Sequence, residues 1–313
     1  MKYIAKKLFT LIITLFIVSL LAFLAFQVIP GDPTTALLGT SATPEQVEAL
    51  RSSLGLNRPV MERYIDWLVN FLHGDMGTSY SYKMAVSEMI SAKLPITLIL
   101  TAMSFVMTVA VSIPLGIYAA RREGGLIDRG ITVLDQIVMS VPPFFIGILC
   151  CWIFGIILRF FTPGNFVSYT KDLPAFIIYM IFPALSIAVP RIAMTVKMLR
   201  ASILEQMGQD YVRTAYSRGN SRETALENHV LRNALIPVVT FIAVSVAEML
   251  AGSIIIEQVF TIPGIGRLLL SSISSRDFPV VQAIVVILAF WVVVVNFIAD
   301  VLYQYIDPRI RLS

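Results

Sequence analysis

The segment Phe9–Ile29, with the sequence FTLIITLFIVSLLAFLAFQVI, decides the fold class of this chain. It contains 21 residues and no charged side chain. A helix rises about 1.5 Å per residue, so about 20 apolar residues cross the ~30 Å hydrocarbon core of a bilayer. Inside that core the backbone must satisfy its own hydrogen bonds, which selects a helix. The segment therefore predicts a transmembrane helix.

Five further apolar runs of spanning length follow. We place the six spans at Phe9–Ile29, Leu94–Ala120, Ile131–Phe161, Phe176–Val196, Leu235–Ile256 and Val280–Tyr303. The third span contains two consecutive prolines, Pro142 and Pro143, and this pair predicts a kink or a break in the helix. The fourth span is the weakest, because Pro183 and Pro190 lie inside it. The sequence therefore predicts an all-α integral membrane protein with six transmembrane helices.

The composition supports lipid as the solvent. Of the 313 residues, 57% are hydrophobic and 14% are charged, and the mean hydropathy is +0.80. Soluble domains have about 45–50% apolar and about 25% charged residues. A soluble globular domain is therefore excluded. The two cysteines, Cys150 and Cys151, are neighbours in an apolar run, so we expect buried thiols rather than a disulfide or a metal site.

A cleaved signal peptide is the alternative interpretation of the first apolar run, because Lys2, Lys6 and Lys7 precede it. The apolar core of a secretory signal is about 7–15 residues long and ends at a small-residue cleavage site. The run here is longer, and no clear site of that kind follows it. We therefore expect an uncleaved helix.

The positive residues predict the orientation. Fifteen Lys and Arg residues lie in the N-terminus, the 121–130 loop, the 197–234 loop together with Arg191, and the C-terminal tail. The two short segments on the other side carry four, and the long 30–93 segment, which such counts discount, carries five. Cytoplasmic loops are enriched in Lys and Arg. We therefore expect both termini in the cytoplasm and residues 30–93 outside, which divides the chain into 1–29, 30–93 and a five-helix core at 94–313.

The outer segment 30–93 is predicted to be helical. It opens with the chain-breaking sequence Pro30–Pro33. Thr43 and Gln46 form a capping box around Pro44, which occupies a first helical position, and Gly55 should end this short helix.

A second outer helix is predicted from Pro59 to Leu72, with Gly74 at its end. Its apolar stripe is read as Met61, Tyr64, Ile65, Leu68 and Leu72. Two compatible interpretations remain open. The segment is a cap packed on the membrane domain, or it is a docking surface for an external partner.

Catalytic and nucleotide-binding motifs are absent from the sequence. No G-x-x-x-x-G-K-[ST] loop, G-x-S-x-G elbow, H-E-x-x-H pair or dinucleotide fingerprint occurs. The two histidines, His73 and His229, lie far apart in the sequence, which argues against a metal centre. We therefore expect no enzyme activity and no cofactor or metal bound by this chain. The spans also lack the charge pattern of a voltage sensor or proton pump and a convincing inverted repeat.

The strongest local signal is the cytoplasmic stretch Asp210–Pro237, DYVRTAYSRGNSRETALENHVLRNALIP. It predicts two short helices joined at Gly219, which closes the first helix in the left-handed conformation. Ser221 is the predicted N-cap of the second helix, and Leu226 and Val230 form its apolar face. Such a charged hairpin is typical of a protein-docking element.

This stretch resembles the cytoplasmic signature of the inner-membrane subunits of ATP-binding-cassette (ABC) importers, which reads EAA, three residues, Gly, nine residues, then Ile-x-Leu-Pro. Here Arg213–Ala215, Gly219 and His229–Arg232 fit that spacing. The sequence departs from the signature at Arg213, Thr214, His229 and Arg232. At these positions the residues are similar to those of one branch of this family, the importers of dipeptides, oligopeptides and nickel. Further stretches that resemble its B-type subunit are Pro30–Pro33, Leu54–Pro59, Gly74–Gly77, Leu94–Thr97 and Glu257–Arg267.

The resemblance implies a type I ABC importer permease fold in a bacterial or archaeal cytoplasmic membrane. It implies a permease subunit that forms half of the pathway for dipeptides or oligopeptides, with nickel or metal-chelate import as the alternative and a secondary transporter as a remoter one. The implied partners are a second homologous permease in a heterodimer, two cytoplasmic ATPase subunits that carry ATP and Mg, and an extracytoplasmic solute-binding protein. No nucleic acid is expected.

The resemblance also implies that residues 205–234 are the ATPase-coupling loop. The residues assigned to the coupling are Tyr211, Val212, Arg213, Thr214, Ala215, Tyr216, Gly219, His229 and Arg232. Four of them, Tyr211, Val212, Ala215 and Tyr216, are expected to form an apolar plug that enters the ATPase.

Two acidic residues are candidates for the pathway. Glu248 lies near the middle of the fifth span, where an unpaired charge costs about 2.5–3.5 kcal/mol on insertion scales. It is expected to face the pathway or to pair with a polar group at the subunit interface. Glu257, at the outer end of this span, is expected to gate or line the outer vestibule, or else to be interfacial and solvated.

Overall fold

The computed structural model describes residues 2–28, 34, 38, 42–53 and 55–306. The predicted chain break at Pro30–Pro33, Leu54 and the C-terminal tail from 307 lie outside these residues. Within the described part of the chain the regular structure is helical, and the β structure is limited to an isolated bridge between Thr78 and Ala85.

The helices follow one another in this order: α1 Lys2–Val28, α2 Pro44–Ser53, α3 Val60–Leu72, α4 Val86–Arg121, α5 Leu126–Ser140, α6 Pro143–Cys150, α7 Leu173–Met207, α8 Asp210–Ser217, α9 Arg222–Ala225, α10 Leu231–Val259, α11 Ile265–Ser274 and α12 Phe278–Ile306. Two π-helical turns extend this series, Cys151–Ile157 after α6 and Leu226–Val230 between α9 and α10. The two turns join their neighbours into continuous helical runs.

Five helical runs in the described chain are long and apolar enough to span a membrane: Lys6–Ala25, Val86–Arg121, Leu173–Met207, Arg222–Val259 and Phe278–Val301. The third predicted span is broken, because Leu126–Ser140 and Pro143–Ile157 meet at an angle of 101°. Val141 is extended at the break, the conformation that a following proline favours. The predicted break at Pro142–Pro143 is confirmed, and the number of spans is six if the bent pair counts as one.

The fourth predicted span is a continuous helix despite its prolines. Pro183 and Pro190 lie inside α7 without interrupting it, and both are buried. Half of the most apolar 18-residue segment of α7 is buried inside the chain, and this is the largest buried share among the five spanning runs. Its weaker sequence signal follows from this position, because a helix surrounded by other helices needs less apolar surface against lipid.

The chain folds into two compact units, Met1–Thr97 with Pro263–Val294, and Leu98–Ile262 with Val295–Ser313. In the first unit α3 packs on α1 through an aromatic cluster. The Tyr64 ring lies 5.5 Å from that of Phe23, and its hydroxyl is 2.9 Å from the Ser19 hydroxyl. Tyr64 is buried, and Trp67 and Phe71 continue the cluster along α3. Helix α3 is therefore anchored on the first spanning helix.

The predictions for the outer helices are confirmed in part. The Thr43 amide donates to the Gln46 side chain at 3.0 Å and the Gln46 amide to the Thr43 hydroxyl at 3.4 Å, so the capping box forms. The predicted stripe of α3 is wrong in part, because Met61, Ile65 and Leu72 are 60%, 53% and 76% exposed. The aromatic side chains of α3 determine which face packs on α1, because both faces carry apolar residues.

The buried carboxylate of Asp277 organises the turn after residue 78 in the same unit. It accepts hydrogen bonds from the Tyr80 amide at 2.9 Å and the Ser81 amide at 3.1 Å, and one from the Ser79 hydroxyl. Asp277 is fully buried. These donors provide the stabilisation that a buried carboxylate requires.

In the second unit α7 is the central helix, with α5, α6 and α10 packed against it. One hydrophobic cluster joins the end of α4 to α7, α8, α9 and α10; its buried members are Ala120, Leu199, Ile203, Val212, Ala225, Leu226, Val230, Ala234, Val238 and Ile242. The short helices of the predicted hairpin are therefore part of the core of this unit.

Candidate functional site

The hairpin α8–α9 has the backbone that the sequence predicts. Gly219 has φ +86°, its amide donates to the Tyr216 carbonyl at 2.9 Å, and the Asn220 amide donates to the Ala215 carbonyl at 3.2 Å. These two bonds form a Schellman motif, in which a left-handed glycine closes a helix. Ser221 caps α9 by accepting a hydrogen bond from the Thr224 amide at 3.2 Å. Both the helix stop and the N-cap are confirmed.

The predicted apolar plug is divided between two faces. Val212 is fully buried and Ala215 is 5% exposed, both in the hydrophobic cluster with α7 and α10. Tyr211 and Tyr216 are 37% and 39% exposed. The expectation of one four-residue plug is therefore wrong for Val212 and Ala215. These two lie one helical turn apart and face the chain's own core. Of the four residues of the predicted plug, Tyr211 and Tyr216 are the ones that a partner could contact.

The outward surface of the hairpin is polar around the two tyrosines. Arg213, Thr214, His229 and Arg232 are all exposed. The Tyr211 hydroxyl donates to the side chain of Gln206 at 2.9 Å, which orients this ring at the end of α7. The outward face therefore combines half-exposed aromatic rings with arginines, side chains that are enriched at protein interfaces.

Ion pairs that the sequence analysis missed connect α9 and the π-helical turn after it to the end of α4 and the turn before α5. Arg222 lies 2.7 Å from Glu123, and Arg121 pairs with Glu227. These pairs join positions about a hundred residues apart in the chain, so no local pattern indicates them. Exposed pairs of this kind contribute about 0–1 kcal/mol each, which makes them guides for position rather than sources of stability.

A third ion pair, between Asp128 of α5 and Arg200 of α7, is of another kind. The Arg200 guanidinium donates to both oxygens of Asp128, at 2.5 Å and 2.7 Å, and the Gly124 amide donates to the second oxygen at 2.9 Å. The Asp128 side chain is only 3% exposed. Two parallel hydrogen bonds to a buried carboxylate fix the relative position of the two helices.

Glu248 has a partner within the chain, the guanidinium of Arg191 on α7. The Arg191 side chain is 21% exposed and that of Glu248 is 54% exposed. Arg191 was counted with the cytoplasmic loop, but it lies inside α7 beside a mid-span residue of α10. Without Arg191, the number of Lys and Arg residues on the predicted cytoplasmic side falls from fifteen to fourteen. This number is still much larger than the four in the short segments on the other side.

Glu257 does not lie on an exposed surface. It is fully buried near the end of α10, and its carbonyl accepts a hydrogen bond from the Ile262 amide at 2.8 Å. The expectation that Glu257 lines the outer vestibule and the alternative that it is interfacial and solvated both require an exposed side chain, and both are therefore wrong in this structure. Asp135 of α5 is likewise buried.

No group of three or more His, Cys, Asp or Glu side chains is placed to hold a metal ion within the part of the chain that the structure describes. Cys150 and Cys151 are both free thiols. Cys150 is buried, as expected, while Cys151 is partly exposed.

The apolar helical runs define a multi-pass membrane protein, with a capped hairpin built into the core of its second unit. Residues 112–312 match the family described as "Binding-protein-dependent transport system inner membrane component", and residues 1–101 match the N-terminal component of the same system. The chain belongs to this family of inner-membrane permeases, which have the type I ABC importer permease fold.

Relatives of full length carry names of peptide permeases. The chain is 36% identical over 312 residues to "Oligopeptide transport system permease protein AppB" of Bacillus subtilis, which covers 99% of both chains. It is 34% identical over 309 residues, also 99% of both chains, to "Probable peptide ABC transporter permease protein y4tP" of Sinorhizobium fredii. A peptide transport system permease protein of Brucella abortus, named with the qualifier "Putative", is 37% identical over 98% of both chains.

Proposed function

We propose that this chain is one of two homologous permease subunits of an ATP-driven peptide importer, and that residues 205–234 couple it to a partner ATPase. The observation that supports a peptide as the cargo is the similarity to peptide permeases over nearly the whole length of each chain. The same names favour peptide over nickel import. The other proposed partners are two cytoplasmic ATPases, which bind ATP and Mg, and an extracytoplasmic solute-binding protein.

The coupling proposal rests on the packing of the hairpin against the spanning helices α7 and α10. The chain has no phosphate-binding loop, so the energy of ATP hydrolysis must reach it through a protein contact. Val212 and Val230 pack in the same cluster as Leu199 of α7 and Val238 of α10. Close-packed side chains transmit displacement because they have no room to absorb it. A push on the exposed tyrosines would therefore move the ends of both spanning helices.

Reconstitution tests the function as a whole. Proteoliposomes that contain this chain with its second permease, ATPases and binding protein should accumulate peptide only when ATP and the loaded binding protein are both present. Accumulation of Ni²⁺ or a nickel chelate under the same conditions would assign the alternative cargo. Peptide uptake without ATP or without the ATPase subunits would contradict the importer.

The proposed topology is tested by labelling single cysteines in a variant that lacks Cys150 and Cys151. Thr43, Ser217 and Ser271 are all accessible to solvent in the structure, so burial does not prevent the reaction at any of them. A membrane-impermeant maleimide should label cysteines at Thr43 and Ser271 in intact cells, and should label one at Ser217 only after the membrane is opened. Labelling of Ser217 in sealed cells would reverse the orientation.

The two faces of α8 should respond differently to substitution. Tyr216→Ser removes a half-exposed ring, so we expect little change in the stability of this chain and weaker binding of the ATPase subunits. Val212→Ala removes two buried methyl groups, which should lower stability by about 1–2 kcal/mol from the lost burial and the cavity. Thermal unfolding of the permease pair and co-purification of ATPase measure the two effects. Equal loss of stability in both variants would contradict this division of the helix.

A further inference from the structure

The ion pair between Arg191 and Glu248 is the starting point. Both residues lie in apolar spanning helices, where a lone charge costs about 2.5–3.5 kcal/mol. The pair is unequal, because most of the Arg191 side chain is buried while more than half of the Glu248 side chain is exposed. A half-exposed carboxylate at this depth does not face hydrocarbon. It faces another protein chain or the water of the pathway.

The surface around Glu248 is a single stripe along the uncovered face of α10. Its exposed residues are Val244, Glu248, Ala251, Ile255 and Gln258. The spacing of four, three, four and three residues places them on one side of the helix. The stripe is about 21 Å long at about 1.5 Å per residue, and Glu248 is its single charged member. The neighbours of Glu248 in the stripe, Val244 and Ala251, have small apolar side chains, so a ligand can approach the carboxylate closely.

This pattern complements the amino-terminal end of a peptide. A carboxylate has lone pairs for about four hydrogen bonds, whereas the ion pair with Arg191 joins it to one guanidinium. An α-ammonium group has three N–H donors and bears the opposite charge to Glu248. The apolar neighbours Val244 and Ile255 suit the side chains that flank a peptide backbone. The guanidinium of Arg191 is directed at Glu248 and is largely covered, so it offers little surface to the carboxyl end of a substrate.

We propose that Glu248 is a subsite for the α-ammonium group of a peptide in transit, and that Arg191 is a positioning residue that holds the carboxylate toward the pathway. This inference rests on the proposed importer function and adds the part of the substrate that the membrane subunit recognises. Passage through a pathway requires sites that release their ligand, and a single carboxylate that is exposed on one side of a helix is such a weak site.

The experiment uses the complete reconstituted importer with its binding protein. Two cargoes are compared: a tripeptide with a free amino terminus, and its analogue in which a hydroxyl replaces the amine. The binding protein is loaded with each cargo beforehand and its occupancy is measured, so that receptor selectivity is removed from the comparison. The quantity reported is the ratio of the two import rates per loaded binding protein.

In the wild-type importer we expect the free amine to be imported roughly tenfold faster, the size of effect that one hydrogen bond to a charged group produces. In Glu248→Gln, which preserves the side-chain volume, the ratio should fall close to one. Arg191→Lys should keep the preference and Arg191→Gln should reduce it, at equal yield of assembled complex. Glu88→Gln, at a carboxylate on α4 outside the stripe, is the matched control and should keep the wild-type ratio.

Three outcomes would overturn the subsite. A wild-type ratio close to one would show that the membrane subunits do not recognise the α-ammonium group. An unchanged ratio in Glu248→Gln with normal assembly would show that the carboxylate does not contact the cargo. A lower yield of assembled complex with an unchanged ratio would assign Glu248 to the interface with the second permease. Failure of the proposed function looks different, because the wild type would then import neither cargo in response to ATP and loaded binding protein.

Discussion

Replacing Gly219 by valine is expected to abolish transport while the membrane helices still insert. Gly219 has φ +86°, and a Cβ atom at this position would meet nothing within 4 Å. The penalty is therefore conformational rather than steric contact with neighbours. A left-handed backbone costs an ordinary L-residue at least about 1–2 kcal/mol, and a β-branched residue is a genuine outlier there. Valine would relieve this strain by abandoning the Schellman motif, which misdirects α9 relative to α8.

The measurement pairs peptide uptake with the ATPase activity of the reconstituted complex. Uptake should fall by at least about tenfold, and ATP hydrolysis should either lose its stimulation by substrate or proceed uncoupled from it. Gly208→Val is the matched control, because Gly208 lies in the same loop with φ −80°, which any residue adopts. Gly219→Asn should be milder, since asparagine tolerates left-handed conformations. Wild-type uptake and ATPase activity in Gly219→Val, with normal assembly, would mean that this loop is not the coupling element.

Removing the guanidinium of Arg200 should have the largest effect on stability. Arg200→Ala leaves the Asp128 carboxylate, which is only 3% exposed, without its bidentate partner. Breaking a buried pair on one side typically costs about 3–5 kcal/mol, because the remaining charge loses its partner. The Gly124 amide still donates to Asp128 and the Arg200 side chain is 27% exposed, so we expect a loss at the lower end of this range. The ends of α5 and α7 should separate, and the yield of folded permease should fall.

Thermal unfolding of the purified permease pair measures this effect. Arg222→Ala is the matched control, since it breaks the exposed pair with Glu123 and should cost about 0–1 kcal/mol. Adding Asp128→Asn to Arg200→Ala removes the stranded charge and should recover part of the lost stability. Equal unfolding temperatures for Arg200→Ala and Arg222→Ala would show that Asp128 does not depend on Arg200.

Local chemistry accounts for the features that were predicted correctly. The capping box at Thr43 and Gln46 forms between neighbours in the chain, so its residue types alone specify it. The left-handed stop at Gly219 depends on the one residue that lacks a Cβ atom. The break at Pro142–Pro143 follows from the missing amide hydrogen and the restricted residue before a proline. None of these features requires knowledge of what packs against it.

The errors occur where two faces of a helix look alike. In α3 both sides carry large apolar residues, and the contact of Tyr64 with Phe23 selects the buried side. In α8 the pattern of Tyr211, Val212, Ala215 and Tyr216 is consistent with a single plug, but α7 and α10 take up only the two smaller side chains. Apolar residues on a short helix show that it packs on something, while the neighbouring helices determine which residues are covered.

The amino-acid sequence by itself determined that this chain is an all-α membrane protein, that its third span is broken at Pro142–Pro143, and that a hairpin turns at Gly219, because hydropathy, proline, glycine and capping side chains act over a few residues. It did not determine the ends of the long helices, since α4 begins at Val86 and α7 continues to Met207. The tertiary structure alone decided the partners of the charged residues. Arg191 meets Glu248, and Arg200 meets Asp128, across separations of 57 and 72 residues. The energy of an ion pair depends on the distance between the charges in space and not on their separation in the sequence. The packing of α5 and α10 against α7 is therefore what brings these pairs together.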